Sequence, residues 1–225
     1  MSIWITRSEP GATTLAESLE RAGFKPFKAP VLSIEPVAFE PPGGRFDAAV
    51  FLSAHGVRLA APTLKERFRR AFAVGRRTRQ VLLESGVEAA AAEVESSEGL
   101  LADLPSLAGQ RVLLVSGVGG RNVLGAGLEH RGVEVERLEV YRRVPASPSI
   151  DCARIDAAVA SSGDGFRQAA RVWFAAGGAP GLSVLVPSAR VGALGPELGL
   201  ANVVECAGAD SRAVLAALRS MQGSA

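Results

Sequence analysis

Ser53-Ala54-His55-Gly56 and Ser162-Gly163-Asp164-Gly165 are two short polar segments. Each follows an apolar run of strand length and precedes an amphipathic helical stretch. The first N–H groups of a helix at such a junction have no partner within the helix, so the junction attracts a carboxylate or phosphate. Ser is also a favoured helix cap, and capping by Ser53 or Ser162 is the plainer reading of each. The two roles are compatible, because several N–H groups stay open after one is capped.

Other turns repeat the design. Gly117 and Arg121 lie in "SGVGGRN" (116–122), a Gly-rich turn between "RVLLV" and a helix, where backbone can approach an anion and Arg121 adds charge. It is neither GxGxxG with a ribose-binding acid nor GxxxxGK[ST], so it is not a nucleotide fingerprint. Arg7 occupies the corresponding first turn, "TRSEPGA". "FAVGRRTRQVLLESG" (72–86) enters a helix through Gly75 and Thr78, and its counterpart "VLVPSARVGALGPELG" sets Pro187 and Arg190 opposite them, with Ser188 between.

Tyr141 is the only tyrosine of the chain. A phenol suits hydrogen bonding to a leaving hydroxyl, although a single Tyr more commonly packs. In an extended segment Tyr141 and Arg143 point to one side. His55 is placed to meet an anion, whereas His130, in "LEHRG", sits near a helix C-terminus and faces solvent. No Ser/His/Asp arrangement and no HExxH is present, and Cys152 and Cys206 lack ligand spacing. Hydrolase and metal chemistry are therefore not expected, and no metal site is assigned.

The elements that must hold these residues are readable from periodicity. Strand-length apolar runs at 3–6, 48–52, 71–74, 111–115, 157–160, 184–186 and 202–206 alternate with helical stretches such as "TTLAESLERAG", "RQVLLESG" and "NVLGAGLEHRG", each closing on Gly. Alternation of this kind predicts α/β lobes built on parallel sheets flanked by helices.

The chain also repeats itself. Asp47, Ala48, Ala49, Val50, Ser53, Gly56, Arg58, Ala60 and Ala61 recur 109 positions later, as do Leu15, Leu19 and Gly23. Two homologous halves follow. After the first strand-helix unit comes "KAPVLSIEPVAFEPPGG", and after its repeat "ERLEVYRRVPASPSI", both extended and running into Pro. If they pair as a two-stranded connection, the chain crosses twice between two similar lobes, 37–145 and 1–36 with 146–225. A ligand cleft is expected between such lobes.

Composition narrows the function. The chain has 225 residues, 48% apolar and 21% charged, with 25 Lys and Arg against 23 Asp and Glu for a net charge of +2. That balance announces no nucleic-acid partner, while a mildly basic sign suits an acidic small molecule. Two isolated cysteines point to a reducing compartment. No leader pattern and no run of about 18 apolar residues is seen, so a cytoplasmic protein without membrane contact is expected.

The segments resemble those of the uroporphyrinogen-III synthase family in order and over nearly the whole chain. "WITRSEPGATTLAESLERAGF" is similar to that family's strand, Thr-Arg turn and helix, and "DAAVFLSAHGVRLAA" to its F-T-S-x-x-A/G-V segment. "FAVGRRTRQVLLESG" resembles its V-G-x-x-T segment, "VLLVSGVGGRNVLGAGLEHRG" its G-x-x-x-R-x-x-L segment, and "LEVYRRV" is similar to its V-x-x-Y strand, with Leu138 in the place of Val.

The resemblance implies a monomeric enzyme without a cofactor, whose two lobes are joined by a two-stranded ladder. It would close the linear tetrapyrrole hydroxymethylbilane, with loss of water and inversion of ring D, to uroporphyrinogen III in haem biosynthesis. By the same resemblance Tyr141 would hydrogen-bond the departing hydroxyl and Thr78 would add a polar contact. Carboxylates of the substrate would be held by Arg7, Ser53, Ala54, His55, Gly56, Gly117, Arg121, Ser162, Gly163, Ser188 and Arg190. Two features depart from the pattern. Pro187 and Arg190 replace Gly and Thr, with Arg190 offering a charge-assisted contact, and Asp164 sets a negative charge in a turn meant for anions. The alternative from another class is a non-catalytic two-lobed sensor that closes on an acidic small molecule.

Overall fold

Ile3, Trp4 and Ile5 expose no surface, as expected for a strand covered by helices on both faces of a parallel sheet. They belong to β1 (Ser2–Ile5) in a computed structural model that describes residues 1–120 and 122–223. The chain divides into two units, Met1–Ser33 with Val144–Ala225, and Ile34–Arg143.

In the first unit, β1 is flanked by β2 (Lys25–Lys28) and β9 (Ala157–Val159), and the sheet continues through β10 (Ser183–Val186) to β11 (Asn202–Glu205). Every pair is parallel. Alternate residues serve opposite faces. Ile3, Ile5, Val159 and Leu185 pack under α1 (Gly11–Arg21) and α8 (Ser211–Gly223), whereas Trp4, Ala158 and Val184 pack under α6 (Gly163–Ala175). Helix α1 buries Ala12, Leu15, Ala16 and Leu19, the three-and-four spacing of one helical face. Gly23, at φ 83°, turns the chain out of it.

The second unit repeats this plan. β4 (Phe46–Phe51) lies between β5 (Phe68–Ala73) and β7 (Arg111–Gly117), with β6 (Ala89–Ala91) beyond β5 and β8 (Glu134–Pro145) beyond β7, all parallel. Ala49, Phe51, Leu113 and Val115 form one core with α2 (Ala54–Leu64) and α3 (Arg76–Glu84). Ala48, Val50, Val112 and Leu114 form the opposite one with α4 (Ser97–Asp103) and α5 (Val123–His130).

The order β6-β5-β4-β7-β8 matches β11-β10-β9-β1-β2 element for element. The repeat therefore maps onto two sheets of one topology, the second unit continuous in sequence and the first entered at its fourth strand. The chain passes between units in β3 (Leu32–Pro36) and β8, which pair with each other. Val37 N–H donates to Val140 O and Ala146 N–H to Val31 O, so this one pairing is antiparallel. Two strands escape the periodicity: β2, an edge strand of sequence KPFK, and β6, an alanine run.

Candidate functional site

Within the second unit the chain leaves β4 toward β5 on one side, and β7 lies on the other. Their helices α2 and α5 pack on opposite faces of the sheet. This is a topological switch point, and in open α/β sheets ligands bind just beyond the carboxyl ends of the strands there. The turns at 53–56 and 117–120 and the side chain of Tyr141 meet at this edge.

Ser53 is extended (φ −164°, ψ 155°), caps α2, and accepts a hydrogen bond from Gly56 N–H at 3.1 Å. Leu52 N–H donates to Val115 O, tying the turn to β7. Gly56 is buried, and a Cβ there would stand 3.4 Å from Val115 Cγ1. Ala54 opens the helix, so its amide has no acceptor in a preceding turn. The His55 ring lies 5.7 Å from the Tyr141 ring, tilted by 54°.

Tyr141 is 1% exposed. It is the partner of Gly117 across an irregularity in the β7–β8 ladder, and Val118 N–H donates to Tyr141 O. A Cβ on Gly117 would lie 2.6 Å from Tyr141 Cζ. Gly117 is thus a strand residue whose missing side chain seats the phenol ring. Sequence spacing suggested an anion loop at this position, and Gly marks close approach of ligand and of ring alike. Arg143 donates from Nη2 to the Tyr141 hydroxyl at 3.1 Å, with its guanidinium 5.4 Å from the ring centre. Arg121 lies outside the described residues.

Carboxylates of the protein itself lie beside other expected anion turns. Gly119 N–H points to Glu139 Oε1 at 3.4 Å. At the start of α3, a Cβ on Gly75 would fall 2.6 Å from Glu95 Oε2, and Arg76 holds Glu95 at 2.8 Å. Thr78, 5% exposed, lies on the inner face of α3 with Val81 and Leu82. It is a core-facing residue in this structure, not an open polar contact.

In the first unit, Ser162 caps α6 by accepting from Gly165 N–H at 3.1 Å, and Asp164 is exposed in the helix's first turn. Gly163 approaches Leu194, and the buried Ser161 hydroxyl has no partner among the described residues. Arg7 is not a free surface cation: its Nη1 donates to Ala209 O at 3.1 Å, and its guanidinium lies along Gly11. Glu9 accepts from both the N–H and the hydroxyl of Thr13, each at 3.0 Å. Desolvation raises the Glu9 pKa, but the Thr13 hydrogen bonds and Lys28 outweigh it and hold the carboxyl below its ordinary range. Ser188 starts the four-residue α7 (Ala189–Gly192) without a side-chain cap bond, and Arg190 is exposed. Among the described residues no cluster of His, Cys, Asp and Glu is built to hold a metal ion.

Glu139, Glu95 and Glu9 were not picked out by sequence reasoning, and Arg143 was placed there only on the side of Tyr141, without a role. The acids are invisible there because strand neighbours and helix starts are joined only by the fold, while Arg143 had a signal in its two-residue spacing from Tyr141.

The family model for uroporphyrinogen-III synthase HemD matches residues 13–215. The chain belongs to the uroporphyrinogen-III synthase family. It is 28% identical to the uroporphyrinogen-III synthase of Escherichia coli (strain K12), covering 97% of this chain and 100% of that one. To the Salmonella typhimurium synthase it is 34% identical over 64% of this chain and 65% of that one. Two solved structures share the fold. The Thermus thermophilus uroporphyrinogen III synthase mutant gives a TM-score of 0.62 at 18% identity over 99% of this chain and 100% of that one. The Helicobacter pylori uroporphyrinogen-III synthetase gives 0.65 at 13% identity over 98% of each. Over the described residues, no helix is long and apolar enough to cross a membrane.

Proposed function

We propose that the protein converts hydroxymethylbilane to uroporphyrinogen III, acting as a cytoplasmic monomer without a cofactor. The observation that carries the site assignment is the placement, at one sheet edge of the second unit, of a phenol beside a helix start whose first turn holds no acid. The α2 turn takes a substrate carboxylate through the Ala54 amide, aided by His55. The Tyr141 O–H donates to the terminal hydroxyl as its C–O bond breaks. That oxygen leaves as water, and the proton it needs is balanced by the one the attacked pyrrole carbon loses when aromaticity returns.

Holding a flexible linear tetrapyrrole in the geometry that inverts ring D is mainly an orientation problem, and intramolecular positioning is in general worth roughly 7–11 kcal/mol. Ser162, Gly163, Ser188 and Arg190 of the first unit are supporting contacts in this scheme. The test is to supply freshly generated hydroxymethylbilane and separate the product isomers. Uroporphyrinogen III formed above the spontaneous rate is expected. Uroporphyrinogen I alone at the spontaneous rate, with the bilane bound, would support an acid sensor instead.

A further inference from the structure

Tyr141 has neighbours of three kinds: the Gly117 backbone against which its ring lies, the His55 ring at 5.7 Å, and the Arg143 guanidinium. Arg143 is the one that addresses the reacting atom. From these contacts we infer that Arg143 is a positioning residue for the Tyr141 hydroxyl, fixing the direction in which its proton is donated.

Residues 141 and 143 share one side of β8, which is why the guanidinium reaches both the ring and its oxygen. Arg142, on the other side, pairs with Glu35 at 2.9 Å and does not share the task. A guanidinium only donates, so the bond to Tyr141 occupies a lone pair of the phenol oxygen. The single O–H of the phenol must then point elsewhere, toward an acceptor that is not Arg143. Accepting from a cation also polarises the phenol and strengthens it as a donor. The tyrosine ring is buried while Arg143 itself is exposed, so the hydroxyl lies at the rim of the core, where a substrate oxygen can meet it.

Arg143 has this role only if Tyr141 donates to the leaving oxygen as proposed above, and a double-mutant cycle separates the two claims. With hydroxymethylbilane as substrate, Arg143→Gln is expected to lower kcat about tenfold, the scale of one lost hydrogen bond, with KM changed less than about twofold. Arg143→Lys, which keeps a cationic donor, should recover part of kcat. In a Tyr141→Phe background neither Arg143 substitution should lower kcat further. Arg142→Gln, which removes the same charge one residue away, should leave kcat unchanged. An equal loss from Arg143→Gln with Tyr or Phe at position 141 overturns the inference and leaves the role of Tyr141 standing; so does an unchanged kcat in Arg143→Gln. Wild-type kcat in Tyr141→Phe removes the role of Tyr141 and, with it, this one. If the Gln variant does not fold, the cycle with Lys decides by the same comparison.

Discussion

The turn that starts α2 and the turn that starts α6 are copies in sequence and in backbone. Each has an extended Ser cap, and each cap accepts from the Gly three residues on at 3.1 Å. Their local folding is therefore the same, and any difference in what they bind comes from the two residues between. In the second unit these are Ala54 and His55, beside Tyr141; in the first they are Gly163 and Asp164, with the carboxylate on the helix start itself. A helix N-terminus favours an anion by typically 0.3–1 kcal/mol when exposed, and at α6 Asp164 already supplies one. Glu9, Glu95 and Glu139 do the same near α1, α3 and the Gly-rich turn. The α2 turn has no acid in its first turn. In the proposed scheme the acid-free copy of this duplicated turn takes the substrate carboxylate, while the other copy carries a carboxylate of its own.

The comparison breaks most severely at the seat of Tyr141. Gly117→Ala puts a methyl where the phenol ring lies, so the ring or strand must move; overpacking of this kind costs about 1–3 kcal/mol. A melting temperature lowered accordingly, with turnover reduced by at least tenfold, is expected from thermal melts and isomer assays. Unchanged activity would mean that the ring position does not matter. A smaller effect is expected from Asp164→Asn. Removing the carboxylate from the α6 turn should lower KM by about threefold or less, the scale of one exposed charge at a helix end. A tenfold drop would show that the first unit's turn is the stronger anion site.

The smallest effect concerns the first unit's core and leaves isomer specificity untouched. Burial, and then the charge of Glu205, push the Cys206 thiol up from 9.0 to about 11. The folded state keeps a proton that the unfolded chain releases, so this contribution to stability is complete below about pH 9 and lost as pH rises toward 11. Melting temperature followed against pH should fall over that window in the parent chain and less steeply in Cys206→Ala. Parallel curves would contradict the assignment.

Much of the fold was readable from residues because both sheets are covered on two faces, which writes strands such as β1, β4 and β7 as unbroken apolar runs. The short β2 and β6 were not. KPFK is an exposed edge, and Ala89–Ala91 has helical propensity that pairing with Ala71, Phe72 and Ala73 overrides. At the site, the caps Ser53 and Ser162 were legible from type and position alone. The packing of Tyr141 on Gly117 was not, since the ring stands 24 positions along the chain and only the parallel β7–β8 pairing brings it there. Placement of internal carboxylates beside the starts of α1 and α3 is likewise a property of the fold.

The most direct test of the account is to write the α6 turn into α2. The double substitution Ala54→Gly with His55→Asp keeps the Ser53 cap and Gly56, and changes only what separates the two turns. KM for hydroxymethylbilane should rise about tenfold, on the scale of a negative charge placed at a partly buried helix end, and the share of uroporphyrinogen III should fall toward the spontaneous mixture. A folded variant with wild-type KM and uroporphyrinogen III as its product would contradict the claim that the α2 turn is the one that takes the substrate.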